Sequence, residues 1–279
     1  MLAPAADGVY VDCTVGLGGH TEALLEAGAG RVVGLDRDQS ALELARERLG
    51  RWGDRVDLVH ADYRDLQTVL RARNLSSVRG ALTDLGASSM QFDDAERGFS
   101  FRQPGPLDMR MDRSAGETLE ARLAATDEAT LADVIYRFGE ERRSRRVARE
   151  IIAARDRGEL RTTADLAVAA RRGAGGGTWQ RIDPATRTFQ ALRIWVNGEL
   201  EGLDAFVETA VGALTPGGRL AVIAFHSLED RVVKHTMRRL AERGTVTLIT
   251  KRPVMPGDQE LEDNPRARSA RLRVVEKVA

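Results

Sequence analysis

Val9-Tyr-Val-Asp-Cys-Thr-Val-Gly-Leu-Gly-Gly-His20 is the stretch whose reading decides the fold. A short β-branched run (residues 9–15) ends in glycines, and a helical pattern begins at about Thr21. That is the strand, turn and helix of a sheet wound with helices on its faces. Glycine suits the turn because a β-carbon would block both the sharp change of direction and the approach of the backbone to a ligand. Taken alone, Gly16-Leu-Gly-Gly19 is a weak motif, and a tight turn without a ligand stays open as the lesser alternative.

Outward from this stretch, strand-like and helical runs alternate. Residues 32–35 form a strand, a helix starts at Ser40, and residues 56–59 and 81–85 form two more strands. This βαβαβ rhythm predicts a parallel, doubly wound sheet. It stops at about Glu96. From there to Asn197 the pattern is charged and helical (119–123, 131–138, 143–155, 164–171), with a flexible Gly173-Ala-Gly-Gly-Gly177 inside it. The α/β pattern then resumes with a helix at 200–214, the turn Thr215-Pro-Gly-Gly218, an apolar strand at 220–225 and a helix at 228–243. Strands at 245–250 and 271–276 complete it. The economical organisation is one α/β domain in two parts, 1–95 and 198–279, with a helical insertion at 96–197.

Composition narrows the class. Of 279 residues 42% are hydrophobic and 30% charged, an ordinary globular balance. The longest apolar runs, such as Leu220-Ala-Val-Ile-Ala-Phe225, are far shorter than the roughly 18 residues of a membrane helix, and no signal-peptide layout opens the chain. The expectation is a cytoplasmic protein with no membrane partner. One cysteine, Cys13, excludes a disulfide framework, and His20, His60, His226 and His235 show no metal-ligand spacing, so no metal is expected. Net charge is zero, so only local basic clusters (142–149, 234–239, 266–273) could meet a polyanion, and each taken singly reads more readily as a solvated face than as a phosphate site.

The second strand ends in Asp36, about 20 residues past the glycines, where a carboxylate can accept both ribose hydroxyls of an adenosine. Nicotinamide enzymes share that feature. Their glycines, however, follow G-x-G-x-x-G around a pyrophosphate, whereas here the glycines crowd together behind an acid, Asp12. An acid at that point can hold an amino-acid ammonium, which favours S-adenosyl-L-methionine; a structural role for Asp12 stays open. Asp62 and Tyr63 end the third strand, where a ring can pack on adenine and a carboxylate accept its amine, although Tyr63 can equally cover a helix.

Longer blocks carry a resemblance. Thr83-Asp-Leu-Gly-Ala-Ser-Ser-Met-Gln-Phe-Asp-Asp94, Gly105-Pro-Leu-Asp-Met-Arg-Met-Asp112, Pro184-Ala-Thr-Arg-Thr-Phe-Gln-Ala-Leu-Arg-Ile194, Phe225-His-Ser-Leu-Glu-Asp-Arg231 and Asn264-Pro-Arg-Ala-Arg-Ser269 resemble the RsmH (MraW) family over nearly the whole chain. The resemblance implies a class I methyltransferase (Rossmann-like) doubly wound sheet with an inserted all-helical substrate-recognition domain. It implies transfer of a methyl group from S-adenosyl-L-methionine to N4 of a cytidine in the decoding region of 16S ribosomal RNA, within the small subunit and not on DNA. It puts the cofactor contacts on Gly18, Gly19, His20, Asp36, Tyr63, Asp84 and Gln91. The chain departs from the family at Asp183, where histidine is usual before Pro-Ala-Thr-Arg, and at Met90. A segment like His-x-Pro-Val-Leu that commonly precedes the first strand is not seen.

The N4 amine of cytosine is a poor nucleophile, because its lone pair is delocalised into the ring. The site must orient it and accept a proton, and Asp84 is the candidate acceptor, with Ser88 or Ser89 in support. C5 chemistry needs a cysteine nucleophile, and Cys13 lies on a strand. Tyr136, Phe138 or Trp195 can receive an unstacked base, and the arginines at 142–149 can hold phosphates. His226 can line the target pocket or cap a helix. A homodimer is compatible with the sequence. The rival readings are a nicotinamide oxidoreductase, a methyltransferase for another RNA position, and a ribosome-assembly factor without catalysis.

Overall fold

The structure is a computed structural model that describes residues 1–175 and 183–278. The chain divides into two compact units, residues 1–86 with 200–279, and residues 87–199. In chain order the first unit begins with β1 (Val9–Asp12), α1 (Gly19–Glu26), β2 (Arg31–Asp36), α2 (Gln39–Leu49), β3 (Val56–His60), α3 (Leu66–Ala72) and β4 (Val78–Asp84). The second unit holds α4 (Ser89–Asp93), α5 (Leu119–Ala125), α6 (Glu128–Gly139), α7 (Ser144–Asp156), α8 (Thr163–Ala174) and α9 (Ala185–Asn197). The first unit resumes with α10 (Leu203–Ala213), β5 (Leu214–Ala224), α11 (Ser227–Glu242), β6 (Val246–Leu248), α12 (Asp258–Asp263) and β7 (Arg271–Lys277).

The seven strands form one sheet in the order β3-β2-β1-β4-β5-β7-β6. Strands β1 to β5 are parallel, and β7 runs antiparallel between β5 and β6. Parallel strands buried on both faces read as nearly unbroken apolar runs, which is why β2 is Arg-Val-Val-Gly-Leu-Asp rather than an alternation. Side chains still divide by parity. Val11, Val33, Leu35 and Val222 face the core completed by α3, α10 and α11, while Tyr10, Val32, Leu82 and Ala221 face the one completed by α1. Gly34 is obligatory on β2, since a β-carbon there would overlap the Val15 side chain and come within 2.9 Å of Leu58. The expected turn at 215–218 is instead a bulge within β5: pairing with β4 jumps from Val78↔Leu214 to Gly80↔Arg219, and Gly217 takes φ 75°.

The second unit is a helical cluster with its own core. Leu131, Val134 and Ile135 of α6 meet Val147, Ala148 and Ile151 of α7, with Leu166 of α8 and Leu192 of α9, all at helical spacing. Asp127 caps α6 by accepting from the Thr130 N–H, and Thr162 with Asp165 forms a capping box on α8. Of the glycine-rich stretch expected at 173–177, residues 176 and 177 lie outside the described residues. Gly173 sits in the last turn of α8, and Gly175 caps it in the left-handed conformation.

Candidate active site

The carboxyl ends of β1 to β4 share one edge of the sheet, and the winding reverses between β1 and β4. Open α/β sheets hold ligands at such a switch point. Acids collect there: Asp12, Asp36 and Asp84 are the last residues of β1, β2 and β4, and Asp62 stands two past the end of β3.

The glycine turn is shaped by its conformation. Gly18 caps α1 with φ 83°, a left-handed torsion that favours glycine, and a β-carbon there would press on the Leu49 side chain at 3.0 Å. The Gly16 N–H donates to Asp36 Oδ2 at 2.7 Å and the Asp38 N–H to Oδ1 at 2.8 Å. These bonds fix the Asp36 carboxylate between the turn and the start of α2, and each oxygen keeps a lone pair for a hydroxyl. Burial raises the Asp36 carboxyl above its ordinary value, against the lowering by those two N–H groups.

Asp84 is held by its backbone, whose N–H donates to Thr14 Oγ1 at 2.6 Å. Its Oδ1 is buried and has no hydrogen-bond partner among the described residues. Leaving such an oxygen unsatisfied costs on the order of 1–3 kcal/mol. Its Oδ2 lies 3.6 Å from Nε2 of the half-exposed His20 ring, an ion-pair distance rather than a hydrogen bond. The Asp84 carboxylate raises the His20 imidazole above its ordinary value, with burial opposing.

Asp12 stands inside the protein. It is fully buried, accepts from Thr21 Oγ1 at 2.7 Å and from the Thr14 N–H at 3.2 Å, and thereby pins α1 and the turn to β1. Burial pushes its carboxyl up to about 6 despite those donors. Asp62 is similarly engaged. It accepts from the Arg64 N–H at 2.9 Å and from the Arg64 guanidinium at 2.8 Å, and burial, which would raise it, is outweighed by Arg64 and Arg37, so its carboxyl lies below the ordinary range. The Tyr63 ring is buried against Phe206 of α10, with centroids 4.6 Å apart, so it does cover a helix. His226 caps α11, its Nδ1 accepting from the Glu229 N–H.

In the second unit, Gln91 is buried on α4 and shares a capping box with Ser88, each side chain serving the other's backbone N–H. Ser88 thus secures α4. Of the three rings considered for an unstacked base, Tyr136 is 59% exposed, while Phe138 and Trp195 pack against the helical core. Sequence reasoning missed Thr14 and Thr21, the hydroxyls that set Asp84 and Asp12. Thr14 acts on a residue 70 positions away, which no local spacing reveals.

A sheet in this order with an antiparallel seventh strand, carrying a glycine turn tied to an acid at the end of β2, defines a class I methyltransferase. The model of the MraW methylase family matches residues 1–278. The chain belongs to that family, and its cofactor is S-adenosyl-L-methionine. Among curated relatives, a ribosomal RNA small subunit methyltransferase H from Sorangium cellulosum is 54% identical over 277 residues, covering 99% of this chain and 87% of that one. Its namesake from Nitrobacter winogradskyi is 47% identical over 291 residues, covering 99% and 87%. Among solved structures, an rRNA methylase from Streptococcus thermophilus has a TM-score of 0.45 and 15% identity, covering 99% of this chain and 90% of that one.

Proposed function

We propose that this chain transfers the methyl group of S-adenosyl-L-methionine to N4 of a cytidine in the decoding region of 16S ribosomal RNA within the small subunit, acting in the cytoplasm. The names of relatives at 47–54% identity over nearly the whole chain support the class of RNA. The observation that carries the chemistry is Asp84, a carboxylate at the end of β4 with a buried oxygen awaiting a donor.

The cofactor supplies a methyl group made electrophilic by its sulfonium. In the proposed site Gly18 and Gly19 let the backbone come close, Asp36 accepts from the ribose, Tyr63 and Asp84 complete the adenosine and amino-acid surroundings, and His20 and Gln91 add polar contacts. Asp84 also accepts a hydrogen bond from the cytosine amine, which turns the amine lone pair toward the methyl carbon. The new N–C bond forms as the S–C bond breaks, and the surplus amine proton passes to Asp84. Orientation of two reactants can contribute about 7–11 kcal/mol of barrier lowering, so no covalent enzyme intermediate is required. The helical unit recognises the substrate.

The test is to incubate the protein with methyl-labelled cofactor and small subunits, digest the RNA and identify the labelled nucleoside by mass spectrometry. N4-methylcytidine is expected, and label in another nucleoside overturns the reading. Asp84→Asn should lower turnover by two to four orders of magnitude, the usual span for a lost general base. Near-normal turnover in that variant removes Asp84 from the mechanism even if the product is right.

A further inference from the structure

The arginines of α7 are treated differently at its two ends. From its middle onward and just beyond its end, Arg149 pairs with Glu128 at 3.4 Å, Arg155 with Asp156 at 2.8 Å and Arg157 with Glu159 at 2.8 Å. Around its first turn, Arg142, Arg145 and Arg146 are exposed and have no carboxylate partner among the described residues. Arg143 stands among them and donates to the carbonyls of Ala174 and Gly175, which locks the end of α8 against this corner. The first turn of α7 contains no acid. Cations there oppose the helix dipole at a cost of roughly 0.3–1 kcal/mol each, so the stability of α7 does not account for them.

The patch extends over three helices. Arg137, in the last turn of α6, is exposed and rests over Phe138 at 5.5 Å. Arg187 of α9 is 60% exposed, and its backbone carbonyl closes on Gly139 where α6 ends. Glu140 and Glu141 are the acids at this corner. Glu141 is buried and occupied, accepting the Arg143 N–H at 2.8 Å and lying 3.7 Å from Arg187. Tyr136, next to Arg137 in the last turn of α6, presents a ring that is 59% exposed.

We propose that this corner of the helical unit, formed by the end of α6, the start of α7 and the start of α9, grips the phosphate backbone of RNA and stacks an unpaired base on Tyr136. The inference rests on the reading that the chain acts on RNA, and it assigns the surface by which the RNA is held. Guanidinium groups match phosphate oxygens in paired fashion, and aromatic rings accept any base on their faces. Arginines without a carboxylate partner among the described residues, together with an exposed ring, supply both contacts.

The experiment compares the full-length protein with a triple variant, Arg142→Gln, Arg145→Gln and Arg146→Gln, and with Tyr136→Ala. A control carries Arg157→Gln, just beyond the far end of α7. Binding to small-subunit RNA and to whole small subunits is measured across a salt series, with S-adenosyl-L-methionine affinity by calorimetry and helicity by circular dichroism. The triple variant should keep its helicity and cofactor affinity. Its slope of log affinity against log salt should become shallower by about two to three units, as expected for three lost phosphate contacts. Tyr136→Ala should weaken binding with the slope intact, and the control should behave as wild type. Unchanged affinity and slope in the triple variant overturn the proposal, as does a loss confined to whole subunits with naked RNA still bound normally, which would mean a protein partner. Failure of the wild-type protein to bind either form would instead refute the RNA reading itself.

Discussion

Three carboxylates of one edge differ in what surrounds them. Asp36 is satisfied by two backbone donors, Asp12 is sealed inside by Thr21 and Thr14, and Asp84 keeps one buried oxygen free. Asp12 yields a pH prediction. Its carboxyl rises from 3.8 to about 6 on folding, so the folded protein holds the proton more tightly than the unfolded chain. The contribution of Asp12 to stability is therefore greatest below about 4 and is lost as pH rises through about 6. Asp12→Asn, neutral at every pH, should gain on wild type by about 1–2 kcal/mol on going from pH 5 to pH 8. Urea unfolding at the two pH values measures this, and a difference independent of pH would contradict it. The sequence suggested an ammonium contact for Asp12 because an acid preceding glycines is all that spacing shows. That its partner is a hydroxyl on the next helix depends on how α1 leaves the turn.

At the scale of elements, α11 is fastened to β7 by Asp230 and Arg273, in contact at 2.6 Å and nearly buried. Burial would raise the Asp230 carboxyl, but the Arg273 guanidinium outweighs it and holds the carboxyl below the ordinary range. Its stabilising effect is present above the ordinary carboxylate pKa and is lost as pH falls through the lowered value. Asp230→Ala leaves a buried guanidinium unpaired and should cost about 3–5 kcal/mol in denaturant unfolding, whereas replacing both partners by apolar residues of similar volume should cost far less. Equal losses would mean that packing, not charge, is at stake. The arginines at 271 and 273 had looked like part of a surface cluster, since charge runs give no sign of which members turn inward. Helices α6 to α8 were legible because their apolar positions recur every three or four residues, and β1 to β3 because valines are bounded by glycine and acid. The bulge at 215–218 was not, since Thr-Pro-Gly-Gly specifies a change of direction without saying whether pairing resumes after it.

The molecule as a whole carries no net charge, with 42 basic and 42 acidic residues, so a polyanion must be held by the uneven placement of charge rather than by its sum. The division into a sheet unit and a helical unit gives a test by hydrogen exchange with and without S-adenosyl-L-methionine. Slowed exchange should concentrate at the glycine turn and at the ends of β2 and β4. Protection spread over α6 to α9 instead would place the cofactor elsewhere. The seven-stranded sheet was foreseeable in outline from the alternating runs, but its strand order was not, because pairing is a long-range property.

That order also constrains how the protein emerges from the machinery that makes it. Strand β7 follows β6 in the chain yet lies between β5 and β6. A nascent chain that has exposed everything through β6 therefore has nowhere to seat that strand, and the edge of β5 stays uncovered until β7 slides in. Strands left open in this way invite pairing with other chains. Emergence of β7, rather than completion of the parallel half, is thus the moment when the sheet becomes safe from aggregation.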